Sequence, residues 1–188
     1  MDARPGTVTW TNGINYALFQ AGWFVCVLGA ASDHPWLASA AGLFLVLAHL
    51  FLVRDFLREG ALLLFSLITG FCVDSFHIWT GVLSFPHGSF HPALPPLWIL
   101  VLWMQFAMTL HYSLGWLAGR YLIGALLGGV SGALAYWGGV RFGAAYFNDH
   151  LVACLLQIGL SWALVLPIFL KAAEKTSVPP SPHHYHFH

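Results

Sequence analysis

Asp74 and His77 stand in an otherwise apolar run, residues 61–81, built mainly from Leu, Phe, Ile and Val. Three residues apart, they share one face if that run is helical. Ser66 and Gly70 continue the face at four-residue steps. A carboxylate in hydrocarbon costs about 2.5–3.5 kcal/mol on insertion scales, so it turns inward and takes a partner. Two chemistries suit the pair. Asp74 could accept a proton or anchor a substrate with His77 beside it, or both could ligate a metal. The bland alternative is a cross-link between helices, made of hydrogen bonds alone.

The remaining histidines extend both chemistries. Asp74-x2-His77 is followed by His87-x3-His91. A loop folded over the helix end could bring all four to one transition metal, since imidazole and carboxylate suit zinc, iron, copper or manganese. Asp33, His34, Asp149 and His150 are expected at the same membrane face. His49 and His111 fall at matched depth in the opposite half, given a rise of about 1.5 Å per helical residue. That pair could hold a haem b axially, or each could bond a neighbouring helix. Gln105, near mid-membrane, completes the catalytic candidates with Asp74 and His77. Asn15, Gln20, Gln157 and Ser161 are its candidate partners. Trp98, Trp103, Thr109 and Tyr112 are expected to line the pocket. Glu59 and Glu174 read as solvated charges at helix ends. Gly-x-Ser-x-Gly, a phosphate loop, His-Glu-x-x-His and the histidine boxes of desaturases are all absent.

The elements that must position these groups follow from composition. Of 188 residues, 59% are hydrophobic and 7% charged, against about 25% charged in a soluble domain. So little charge leaves a surface that must face lipid. A net charge of zero leaves no basic patch for nucleic acid. Cys26, Cys72 and Cys154 lie in apolar runs and form no disulfide framework. The first apolar run lacks a charged leader and a cleavage pattern and reads as a retained span.

A span needs about 20 apolar residues. Six are expected, at about 13–32, 36–53, 61–81, 97–118, 121–140 and 151–170. The fold class is therefore all-α: a polytopic membrane protein, a six-transmembrane-helix bundle. Residues 1–175 form one domain and 176–188 a Pro/His-rich tail. Arg4, Arg54, Arg58, Arg120, Lys171 and Lys175 fall on one side and Arg141 alone on the other, which puts both termini in the cytoplasm. The short link between the fourth and fifth spans predicts an antiparallel hairpin. Gly124, Gly128 and Gly132 form a small-residue ridge that suits close helix packing or a homo-oligomer contact.

Three stretches, GFCVDSFHIWTGVLSF from Gly70, PPLWILVLWMQFAMTLHYSLGWL from Pro95 and LGGVSGALAYWGGVRFGAAYF from Leu127, carry a resemblance. Their marks are the Asp after a Gly-bearing third span, the Pro-x-Trp and Leu-Trp pairs of the fourth, and the glycines spaced about Tyr136. They resemble an uncharacterised bacterial integral-membrane family, domain of unknown function 2878, over about residues 10–170. That resemblance implies the inner membrane, and genes often encoded near cyclopropane-fatty-acid-synthase-like enzymes. It supplies no activity and no catalytic residues. The expected function is an enzyme of membrane-lipid (fatty acyl) modification, or an accessory to one, with membrane lipids as partners and a polar pocket in its extracytoplasmic half. A haem electron carrier and a small proton-coupled transporter are the alternatives.

Overall fold

The computed structural model describes residues 10–53 and 55–176. Arg4, Arg54 and the histidines of the tail lie outside them. Six α-helices follow in order: α1 (Trp10–Ala31), α2 (Pro35–Leu52), α3 (Phe56–Trp79), α4 (Leu97–Ala107), α5 (Tyr121–Arg141) and α6 (Leu151–Thr176).

The junctions are written locally. Asp33 takes φ 61°, a left-handed turn that Asp tolerates, and Pro35 opens α2 where no N–H is needed. The Asp55 side chain caps α3 by accepting from the Arg58 N–H at 3.3 Å. Two short strands, β1 (Leu83–Ser84) and β2 (Tyr146–Phe147), pair antiparallel and tie the loop after α3 to the loop after α5.

All helices but α4 are long and apolar enough to cross a membrane. Their outer faces carry Phe44, Leu64, Leu126, Val130, Leu160 and Leu164, each more than half exposed. Water would penalise that surface at about 25 cal/mol per Å²; lipid does not. The fold is that of a helical membrane protein.

The fourth helix differs from expectation. It ends at Ala107 after 11 residues, not near residue 118. Beyond it the backbone tightens to three-residue steps, with Thr109 N–H donating to the Phe106 carbonyl and Leu110 N–H to that of Ala107. The Thr109 hydroxyl donates to the same Phe106 carbonyl at 2.6 Å, and Asn15 Nδ2 donates to the Met108 carbonyl at 3.1 Å. Side chains that compete for backbone acceptors in this way end a helix.

The expected hairpin of fourth and fifth helices is also absent: α4 packs on α1, α2 and α3, whereas α5 packs mainly on α6. The glycine ridge explains the second pairing. A Cβ on Gly124 would meet Leu170 Cδ1 at 2.7 Å, one on Gly128 the Trp162 carbonyl oxygen at 2.6 Å, and one on Gly132 would overlap the Trp162 ring. Gly124, Gly128 and Gly132 are therefore covered by α6 of the same chain.

Candidate functional site

The buried face of α3 builds the site. Ser66 Oγ donates to the Trp103 carbonyl at 2.6 Å, which fixes α4 against α3. Gly70 leaves the gap that the Trp103 ring fills; a Cβ there would overlap it. One turn on, Trp103 Nε1 donates to Asp74 Oδ2 at 2.7 Å and the Tyr136 hydroxyl donates to Asp74 Oδ1 at 2.6 Å. Asp74 is 0% exposed, and each of its oxygens has a strong donor, as a buried carboxylate requires. Trp162 of α6 stacks on Trp103, with centroids 4.6 Å apart and planes 13° apart. Four helices thus converge on one acid.

His77 is equally buried but has its own partner. Gln157 Nε2 lies 3.1 Å from His77 Nδ1 and donates to Thr80 Oγ1 at 2.7 Å. An amide N–H facing Nδ1 makes that nitrogen an acceptor and leaves the ring proton on Nε2. His77 Nε2 is buried without a partner. Gln105 is not part of this group. Its Nε2 donates to the Gly42 carbonyl of α2 at 3.1 Å, so it braces α2 against α4 on the other flank. The expected trio of Asp74, His77 and Gln105 does not share one centre. Tyr136 and Trp103 are the groups that meet Asp74.

A cleft of about 640 Å³ runs between α1 and α4 on one side and α5 and α6 on the other. Trp98, Trp103, Thr109 and Tyr136 line it. Tyr112 does not; it stands edge-on to His49 with centroids 5.6 Å apart. Among the described residues, no Asp, Glu, Lys, Arg or His belongs to the lining. The hollow is therefore apolar and aromatic, and Asp74 sits behind Trp103 and Tyr136, whereas the sequence led us to expect an acid opening into a polar pocket. Sequence reading singled out Asp74 and missed the role of Tyr136, whose only signal was its place among the spaced glycines.

The expected metal set is not assembled. His87 Nδ1 pairs with Asp33 Oδ1 at 3.0 Å, and His91 Nδ1 accepts from its own loop at Ala93 N, 3.1 Å away. Asp74 and His77 stay inside the bundle. Among the described residues no three His, Cys, Asp or Glu side chains are placed to hold a metal ion. The loop that carries His87 and His91 lies against the start of α2, with Phe90 packed on Trp36 and Gly88 beside Pro35.

A second buried acid lies at the other end. Glu59 is 5% exposed, which corrects its reading as a solvated charge. Its Oε1 is 2.9 Å from His49 Nε2 and its Oε2 2.8 Å from His111 Nδ1. His111 Nε2 faces the Ala173 carbonyl at 3.0 Å and the Thr176 hydroxyl at 3.1 Å. The pair proposed for haem is thus joined through one carboxylate, with both nitrogens of His111 engaged. His111 lies in the turn after α4; the bond to Glu59 raises its pKa above the ordinary imidazole value, against the effect of burial. Glu174 is half-buried, and it accepts from Gly119 N and the Tyr121 hydroxyl, both at 2.6 Å.

Fold and site together define a helical membrane protein with an aromatic-walled interior acid. The chain belongs to the family described as protein of unknown function (DUF2878), whose model matches residues 12–168. No curated protein and no solved structure gives a significant match.

Proposed function

We propose that this is a bacterial inner-membrane protein that takes the acyl chain of a membrane lipid into its cleft and serves in fatty-acyl modification, as enzyme or as accessory. The cleft carries this reading. It has the size of a small-molecule site, about 300–1,000 Å³, and its wall is apolar and uncharged. Tyr16 and Phe24 on α1 and Leu134 on α5 line it yet are more than two-fifths exposed, which suits entry from the side, between α1 and α5. Tyr136 belongs to the wall and donates to Asp74, so a proton released in the cleft can reach the acid through one hydroxyl.

Six crossings fit the element ends. The chain leaves α4 at Ala107 and is beside Glu59 and Ala173 by His111, so even the short helix closes the distance. Arg58, Arg120, Lys171 and Lys175 lie at the Glu59 end and Arg141 at the other, which favours cytoplasmic termini.

The test is lipid analysis of protein purified in mild detergent, parent against Ser131→Trp, which fills the cleft from α5. An acyl lipid retained by the parent and lost from a folded variant supports the reading; equal retention overturns it. A second reading, a small proton-coupled carrier, rests on Glu59, a buried acid held between two histidines at the cytoplasmic end of the bundle. Proton uptake in proteoliposomes that survives Glu59→Gln removes it.

A further inference from the structure

We infer that the cleft binds an uncharged, carbonyl-bearing part of its lipid at mid-membrane depth, not a charged headgroup and not bare hydrocarbon. This rests on the lipid-binding reading above.

The first observation is the charge of the wall. Among the described residues no Asp, Glu, Lys, Arg or His lines the cleft, and an ion brought there would lose its hydration with no opposite charge to replace it. The second is a set of polar groups that the fold does not use. Gln20, midway along α1, and Ser131, midway along α5, both line the cleft. Neither side chain has a hydrogen-bond partner among the described residues. The Trp98 ring, near the outer end of the cleft at the start of α4, also belongs to the wall, and its Nε1 is buried without an acceptor. An amide or indole N–H shielded from water is costly when unpaired, because lipid offers it nothing.

These groups share a bias. The Trp98 indole can only donate, and the Gln20 amide and Ser131 hydroxyl can donate as well as accept. The hydroxyl proton of Tyr136 is already given to Asp74. What these unused donors need is an acceptor. A carbonyl oxygen supplies two lone pairs and no charge, and in a lipid it comes attached to the chain that the apolar wall suits. An acyl ester and an isoprenoid quinone both present it.

The test measures binding of three probes with the same chain to purified protein in nanodiscs: hexadecane, methyl palmitate, and palmitate held as carboxylate at alkaline pH. The ester is expected to bind at least about tenfold tighter than the other two, the effect of one to two hydrogen bonds. Gln20→Leu and Ser131→Ala are each expected to weaken the ester about fivefold and to leave hexadecane unchanged. Equal binding of ester and hexadecane, or preference for the carboxylate, overturns the inference while the acyl-chain reading stands. Failure of all three probes to bind overturns that reading itself. A diacylglycerol and an isoprenoid quinone, run as competitors of the ester, then identify the carbonyl source by which of them displaces it.

Discussion

Gly70→Ala tests the packing that holds Asp74. The new methyl would lie in the Trp103 ring. That ring cannot swing aside cheaply. It is stacked on Trp162, edge-on to Phe169 at 6.0 Å, and bonded to Asp74. Overpacking a filled core costs about 1–3 kcal/mol. Moving Trp103 also breaks a bond to a buried carboxylate, about 1.5–3 kcal/mol more. We expect a loss of about 3–5 kcal/mol, read by thermal unfolding in one fixed detergent. Two controls share the helix chemistry. Gly60→Ala, also in α3 and with nothing within 4 Å of the added methyl, should be neutral or stabilise by about 0.5–1 kcal/mol. Gly124→Ala meets only the end of the Leu170 side chain and should cost less than the change at Gly70. If Gly70→Ala unfolds within about 0.5 kcal/mol of the parent, Trp103 is not locked against α3 and the account of the site fails.

Other outcomes follow from the same contacts. Asp74→Asn keeps an acceptor for one donor but turns its amide toward the other, so it should cost about 1–3 kcal/mol and leave a folded protein that still retains lipid; lost retention would place Asp74 in the scaffold alone. Glu59→Ala unpairs both His49 and His111 and should cost about 3–5 kcal/mol, with Glu59→Gln intermediate; unfolding curves check both. Because the folded-state pKa of His111 is raised, its bond to Glu59 contributes fully below the ordinary imidazole value of 6.5 and is lost as pH rises through the higher value. Stability should therefore fall on going alkaline, and the step should vanish in His111→Ala. Cysteines at Ser89 and Ala118 should react with an impermeant maleimide from opposite sides of the membrane, Ser89 from outside.

The helices were readable because hydrocarbon demands long apolar runs, and the chain offers them with turn residues between. Asp74 was readable for the same reason: an acid there has few explanations. The short α4 was not. Its apolar run continues past Ala107, and only the pairing of Asn15 with Met108 and of Thr109 with Phe106 reveals the break. Glu59 reads as solvated because it is the fourth residue of α3, where a charge ordinarily meets water. Its burial depends on His49 and His111 arriving from α2 and from the turn after α4, and such long-range convergence leaves no local trace. Gln105 failed in the opposite way. A mid-membrane amide suggested a site, yet it was bound to the Gly42 carbonyl on the far flank from Asp74. The glycine ridge was seen correctly as a packing surface, while its partner, α6, could not be chosen from spacing.

The most direct measurement is photo-crosslinking with a phospholipid whose acyl chain carries a diazirine, followed by mapping of the adducts in the protein. Adducts are expected on the cleft wall, at Gln20, Leu102, Ser131 and Ala135, and are expected to disappear with Ser131→Trp. Adducts confined to outward residues such as Leu64, Leu126 and Leu160, unchanged by that variant, would show that no chain enters the bundle.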